Sequence, residues 1–393
     1  MPADRKYDLI LLGATGFTGG LTAEYLARNA PDGLRWAIAG RTAAKLEAVR
    51  DRLAAINPTL TSLDLVIVDA ADPESARAAV EQTGAIITTV GPYALHGEPL
   101  VAACAAAGTD YADLTGEPEF VDRVWNHHHA TAERTGARLV HCAGFDSIPH
   151  DIGAYFTVLQ LPEDVPLTVS GYVRAGAEFS GGTYHSAVNG FARARKTVAE
   201  AKARRAAEPR PTDRSVKPLP KRIRRDRDRG GWVVPLPTVD EQIVRRSARA
   251  LPRYGPDFRY GHNMIAKRLA TVAALAAGVP LVVALAQLPP ARALLLRAKS
   301  PGDGPSEERR ARSWFTVTFV GEGGGRRVVT RVSGGDPGYT ETAKMLAETG
   351  MALALDDDAP KVAGQVTTAQ ALGDQLLGRL QRADMTFEIL ETS

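Results

Sequence analysis

Between a short apolar run, Tyr7–Leu12, and a helically spaced stretch, Thr18–Asn29, the chain carries three glycines three residues apart: Gly13, Gly16 and Gly19, in the order Gly-Ala-Thr-Gly-Phe-Thr-Gly. No other feature narrows the fold as far. Gly13 permits a tight turn off a strand. Gly16 lets backbone N–H groups approach a pyrophosphate, and Gly19 lets the following helix pack close to the sheet. The unpaired amides at the helix start, with its positive dipole end, face the phosphates. Thr15, Phe17 and Thr18 fall in the same turn. The spacing departs from the commoner Gly-x-Gly-x-x-Gly, and the alternative is a glycine turn in an α/β protein that holds no cofactor.

The residues that follow alternate two patterns. Strands are expected at Trp36–Ala39, Leu65–Val68, Ala85–Val90, Asp110–Ala112 and Arg138–His141. Helices are expected at Thr42–Leu53 with Thr42 as N-cap, from Asp72-Pro73-Glu74 onward, at Pro99–Ala107 and over 117–135. Continuous apolar strands between helices imply a parallel sheet covered on both faces. With the glycine turn, this predicts an α/β, Rossmann-type doubly wound first domain over 1–150.

The pattern then changes, and an inserted α+β domain over 151–337 is expected. Leu167–Arg174 reads as a strand and Thr183 to about 206 as one long helix. Segment 193–229 holds fifteen Lys/Arg against five Asp/Glu, and its prolines argue for an extended, partly mobile stretch. Segment 264–298 is apolar, and Leu269–Leu288 holds no charged residue. Trp314–Val320 and Arg326–Ser333 read as a hairpin. Residues 338–393, with helices Tyr339–Leu355 and Thr368–Arg382 and a strand Thr386–Leu390, are expected to return to the first domain.

Composition narrows the function. Among 393 residues, 48 Lys+Arg against 45 Asp+Glu leave a net charge of +3, which argues against nucleic acid as a partner. Cys104 and Cys142 are the only cysteines, so a disulfide scaffold is excluded and a reducing, cytoplasmic setting is expected.

Which dinucleotide the turn would take is read at the end of the second strand. An NAD site places an acid there for the ribose 2′-OH, but the chain reads Ala39-Gly40-Arg41-Thr42. Arg41 can pair with a 2′-phosphate and Lys45 adds charge one turn on, so NADP is the expected cofactor; the alternative is a solvated helix start. Ligands in open parallel sheets sit beyond the carboxyl ends of the strands. Val90, Gly91 and Pro92 should therefore lie near the nicotinamide ribose, with Ala143 and Gly144 across the crevice.

Several stretches resemble a known family. GATGFTG at 13–19, AGR at 39–41, VGPY at 90–93 and AGFDSIPHD at 143–151 are similar to the saccharopine dehydrogenase-like oxidoreductases. GPSEERRARSWF at 304–315, GGDPGYTETAKMLAETGMALA at 334–354 and MTFEI at 385–389 resemble the actinobacterial trans-acting enoyl reductase branch. The resemblance implies an NADPH-dependent enzyme that reduces a C=C bond of a long-chain polyketide or lipid intermediate, carrier- or synthase-bound. Alternatives are saccharopine reductase-like C–N or carbonyl reduction of another metabolite, and a non-catalytic lipid- or membrane-associated protein that keeps the scaffold.

Enoyl reduction needs a donor to the carbonyl oxygen and a proton source for the α-carbon. Tyr93, just past the fourth strand, is a candidate donor, with packing on the cofactor as the alternative. His96 is a candidate proton source or an exposed loop histidine. Tyr111, Asp113 and Glu117 could order a polar group of the substrate, although Glu117 before Pro118 suits a helix start. Asp146, Ser147, His150 and Asp151 lie beyond the sixth strand, with Ser147 read as an N-cap. Tyr184 and His185 could line the substrate side. His127-His128-His129 should point in different directions on a helix, so a solvated face is expected and no metal. The uncharged stretch from Leu269 reads as a lipid-facing or substrate-tunnel helix pair or a peripheral membrane contact; a buried core helix and a bilayer span are the alternatives. An oligomer is allowed.

Overall fold

The structure is a computed structural model and describes residues 5–177, 181–297 and 304–393. The first half of the chain alternates β1 (Tyr7–Leu12), α1 (Phe17–Asn29), β2 (Trp36–Gly40), α2 (Ala43–Ile56), β3 (Asp64–Ile67), α3 (Pro73–Val80), β4 (Thr83–Thr88), α4 (Tyr93–His96), α5 (Glu98–Ala107), β5 (Asp110–Asp113), α6 (Pro118–Thr135), β6 (Arg138–Val140) and α7 (Ile148–Val158). The insert adds β7 (Leu167–Gly176), α8 (Gly181–Ala192), α9 (Ala194–Ala207), β8 (Ser215–Pro218), β9 (Arg224–Asp226), β10 (Gly231–Pro235), α10 (Val239–Ala250), β11 (Asp257–Ala266), α11 (Leu269–Ala286), α12 (Pro289–Arg297), α13 (Glu307–Arg312), β12 (Trp314–Gly323) and β13 (Arg326–Gly334). The chain ends with α14 (Thr340–Leu355), β14 (Gly364–Val366), α15 (Thr368–Arg382) and β15 (Thr386–Thr392).

The first sheet has seven parallel strands in the order β14-β6-β5-β4-β1-β2-β3. Its central strands β1 and β4 are buried almost throughout because both faces of the sheet are covered. Leu9 and Leu11 of β1 join one core with Leu26, Ile38, Met345 and Leu346, while Ile10 and Leu12 join another with Val101, Tyr111 and Phe120. The first of these cores runs on through α7 into the second, mixed sheet, where Phe315, Phe319 and Val332 belong to it. That sheet runs β15-β13-β12-β7-β11-β10-β9, and β8 pairs with β11. The crossing is close: a Cβ on Gly153 of α7 would lie 2.5 Å from the Phe319 ring.

Asp151 locks α7 to α10 and α15. Its carboxylate accepts from Ser247 Oγ at 2.5 Å, Thr368 Oγ1 at 2.7 Å and the Ala369 amide at 2.9 Å. Asp151→Ala leaves these buried donors without an acceptor and should cost about 2–3 kcal/mol, measured by chemical denaturation.

Local expectation and structure part company in the insert. The stretch expected as one helix from Thr183 is two, α8 and α9, broken at Arg193. The proline-containing segment is not a mobile linker. Its residues Ser215–Pro218 pair in parallel with β11, and Arg224–Asp226 pair with β10. A sheet edge tolerates Pro218 because its missing N–H need not face a neighbour. Many of its cations are also spent internally: buried Arg204 pairs with Asp122 and Glu208, Lys221 with Glu241, and Arg229 with Asp226. Met264–Ala266 end β11 and do not begin the apolar helix; Ala298 lies outside the described residues. Strands β10, β11 and β14 and helix α10 were not anticipated. The C-terminal return is made by α14 and β14, and the last strand, β15, instead pairs with β13 of the second sheet.

Candidate active site

The glycine turn has the geometry of a phosphate cradle. Gly13 has φ +95°, and its amide donates to Ala39 O at 2.9 Å. Gly13 O accepts from the Gly16 amide at 3.0 Å. A Cβ on Gly19 would lie 2.0 Å from Gly13 O, so only glycine allows α1 to start this close to β1. Gly16 is the N-cap of α1 and has no side chain to cover the first amides, which stay open to an anion. At the end of β2, Arg41 and Lys45 are exposed, and neither forms an ion pair among the described residues. These residues fit a phosphorylated nicotinamide dinucleotide. Arg41→Ala should weaken NADPH binding by roughly 10- to 100-fold and leave NADH nearly unchanged in fluorescence titrations; equal losses would remove the 2′-phosphate assignment.

The turn also meets the insert, which was not anticipated. The Arg310 guanidinium lies 5.4 Å from the centre of the Phe17 ring, and Tyr339 meets the same ring edge-on at 4.9 Å. Gly304 lies so close that a Cβ there would sit 2.2 Å from the Phe17 ring.

At the ends of β4 and β5, Tyr93 is buried. Its hydroxyl donates to Thr88 O at 3.0 Å and accepts from the Leu114 amide at 3.2 Å, so it ties the two loops together. Glu117 accepts from the Tyr93 amide at 3.1 Å, the Ala94 amide at 2.8 Å and Ser186 Oγ at 2.8 Å; burial pushes its carboxyl up despite these donors. Tyr111 and Asp113 form a separate buried network. The Tyr111 hydroxyl donates to Asp113 at 2.9 Å, His141 Nδ1 lies 2.7 Å from the same carboxylate, and the Cys142 amide donates to it at 3.1 Å. His96 is exposed at the end of α4, and the Tyr184 hydroxyl donates to Leu295 O at 3.0 Å. Tyr93 and Glu117 thus come together, Tyr111 and Asp113 are sealed beside them, and His96 and Tyr184 stand apart.

Past the end of β4, Gly91 is exposed and Pro92 half-buried, joined by a cis peptide, and Val90 donates its amide to Thr88 Oγ1 at 3.2 Å. Just past β6, Cys142 adopts φ +62°, an uncommon value for a residue with a Cβ. The Ala143 amide donates to Asp113 O at 2.6 Å. Gly144 packs so closely on Leu114 and Thr342 that a Cβ would sit 2.8 and 3.0 Å from them.

Just beyond this turn lie two carboxyls with opposite properties. Asp146 is half-buried, and its carboxyl has no hydrogen-bond partner among the described residues. Burial of the group, with the Asp240 charge nearby, pushes it up to about 7. Burial also opposes ionisation of Asp240, but His150, His262 and Thr238 outweigh it and hold that carboxyl well below the ordinary range. Asp240 accepts from Thr238 Oγ1 at 2.5 Å and Ser147 Oγ at 3.2 Å, with His262 Nε2 at 3.4 Å and His150 Nε2 at 3.9 Å. Burial brings His150 down to about 4. One carboxyl is thereby kept near its protonated form and the other ionised, the split that separates an acid from a fixed charge. Asp146 sits in the AGFDSIPHD stretch, yet nothing in the sequence marks it above its neighbours; burial beside Asp240, almost a hundred residues away, sets it apart.

The three histidines of α6 do not all point apart. His127 and His128 both reach Glu98, at 3.1 and 3.3 Å, and Arg123 shares that carboxylate at 2.8 Å. His129 stacks on Trp125 and accepts from the Gln365 amide at 2.9 Å. A groove of about 750 Å³ beside Glu98 and Arg123 runs along α3, α5 and α6, starting at Ala94 and Leu95 of α4.

An open glycine turn at a parallel sheet's first crossover, with α8 and α13 of the insert meeting the loops at the strand ends, is the arrangement of a nicotinamide dinucleotide-dependent oxidoreductase. Residues 9–140 match the family described as saccharopine dehydrogenase NADP binding domain. A trans-acting enoyl reductase of Mycobacterium ulcerans is 37% identical over 416 residues, covering 96% of each chain. One of Mycobacterium tuberculosis H37Rv is 37% identical over 424 residues, covering 97% of each. In fold, the chain is similar to the saccharopine dehydrogenase (L-Glu forming) of Saccharomyces cerevisiae, with a TM-score of 0.51 and 12% identity over 98% of this chain and 99% of that one. The chain belongs to the trans-acting enoyl reductase branch of the saccharopine dehydrogenase-like, NADP-dependent oxidoreductases.

Proposed function

We propose that this enzyme reduces the α,β double bond of a long-chain acyl thioester, a polyketide or lipid intermediate presented by a separate synthase or carrier, with Asp146 as the proton donor. The assignment of the acid is carried by the position of Asp146, a half-buried carboxyl just past the end of β6 without a hydrogen-bond partner among the described residues; burial beside Asp240 raises it toward the protonated form. NADPH, when bound, supplies the hydride that goes to the β-carbon. The chain's own residues do the rest. Gly13, Gly16 and Gly19 with the open amides of α1 hold the pyrophosphate, and Arg41 and Lys45 hold the 2′-phosphate. Tyr93 and Glu117 fix the loop that carries Gly91 and Pro92. Asp146 gives its proton to the α-carbon, and Asp240, paired with His150 and His262, stays ionised and keeps that proton on Asp146 until it is needed. The C=C bond is reduced, NADPH is oxidised, and one solvent proton restores Asp146.

The test supplies enoyl thioesters of increasing chain length with NADPH and follows loss of the reduced cofactor together with product mass. Saturation of the C=C bond, faster for longer chains, is expected. Turnover of imines or ketones alone would move the assignment to C–N or carbonyl reduction. NADPH binding without turnover of any of these would leave a scaffold.

A further inference from the structure

The apolar helix α11 lies on the outside of the molecule. From Leu269 to Ala291 there is no Asp, Glu, Lys or Arg, and within α11 only Val272 and Ala286 are buried. Five of the large apolar side chains most exposed on the protein, Leu269, Val279, Leu281, Leu288 and Leu294, fall on α11, α12 and the turn between them. A soluble surface seldom gathers so much apolar area without something to cover it. The helix does not leave the body of the protein. It packs along α8, and the chain turns through Gln287–Leu288 into α12, which packs on α8 as well. A spanning helix would carry its far end away from that support. α11 is apolar all round, so it is its packing on α8, not a polar face of its own, that holds it at the surface of the body rather than as a free span.

Charge says which surface. Lys267 and Arg268 precede the apolar run, and Arg292 and Arg297 follow it. Among the described residues none of the four has a carboxylate partner. No acidic residue occurs from Phe258 to Gly302. An uncharged helix with unpaired cations at both ends complements a bilayer that carries anionic headgroups. A second copy of this chain would bring the same four cations against these ones.

The hairpin is also wired to the crevice. Through α8, the Tyr184 hydroxyl holds Leu295 O, Ser186 Oγ holds Glu117, and the Gly181 amide donates to the Tyr339 hydroxyl beside Phe17. One helix thus has the apolar hairpin on one side and the strand ends on the other.

We infer that α11 and α12 form a peripheral membrane anchor that docks on anionic phospholipid, apolar face down, with the crevice held just above the bilayer. The inference stands whichever bond the enzyme reduces. The experiment is co-sedimentation of the full chain with phosphatidylcholine vesicles, with and without phosphatidylglycerol, while NADPH titration reports folding. Wild type should sediment with the anionic vesicles, and salt should release it. Val279→Asp with Leu281→Asp, both at exposed positions, should abolish sedimentation and leave NADPH binding unchanged. Lys267→Glu with Arg268→Glu should lower the partition coefficient by at least about fivefold per charge. Folded, NADPH-binding wild type that stays in the supernatant overturns the proposal, as does sedimentation unaffected by the aspartates. A dimer that the aspartates split, with no vesicle binding, assigns the face to a second copy and overturns it equally.

Discussion

Replacing Asp146 by asparagine should lower kcat by about 10²- to 10⁴-fold and leave the NADPH dissociation constant unchanged. The acid form is the working form, so wild-type kcat should be flat below about 7 and fall as the pH rises through that value. The variant should lack that limb. A second readout is independent of turnover. Asp146 moves from 3.8 to about 7 on folding, so the native state holds one more proton than the unfolded chain between those values. Stability should therefore decline as the pH rises across that window, and the asparagine variant should lose this part of the slope. A pH profile identical in the two proteins would remove Asp146 from the reaction.

Two alanine substitutions in the glycine turn should separate folding from cofactor binding. The Cβ of Gly19→Ala would lie 2.0 Å from Gly13 O and 2.8 Å from Thr89 Oγ1. The carbonyl has little freedom to yield, because Gly13 is tied to Ala39 and Gly16. Helix α1 must move away from β1, which should cost about 2–3 kcal/mol and carry the phosphate amides out of place, with NADPH affinity falling beyond detection. Gly16→Ala meets nothing nearer than 3.4 Å and should melt like wild type. Its methyl stands where the pyrophosphate must approach, so NADPH should still be lost. Thermal melts and fluorescence titrations of both proteins check the pair, and Gly19→Ala with wild-type affinity would contradict the cradle.

The first domain was legible because its signals are local. Continuous apolar strands, Pro73 behind its capping Asp72, and glycines at the turn each report on neighbours a few residues away, and strand boundaries fell within about two residues. The insert was less legible because its short strands are defined by pairing. Arg224–Asp226 is three charged residues with no alternation, and it becomes a strand only because β10 lies beside it. The second half of the site hid for the same reason. Tyr93 and Glu117 were singled out from position, but that Tyr93 would spend its hydroxyl on Thr88 and Leu114 depends on loop geometry. Asp240 and His262 lie in elements the sequence did not announce, and Asp146 owes its character to them.

Strand β14 completes the first sheet by pairing with β6, yet it lies more than two hundred residues later in the chain. During synthesis the glycine cradle and its five nearest strands emerge early, but β6 keeps an unpaired edge until residues 364–366 arrive. The interval is filled by the whole of the insert, so a nascent N-terminal half is exposed to mispairing for most of translation. A C-terminal deletion that spares the glycine turn and Arg41 would still leave the first sheet without its closing strand.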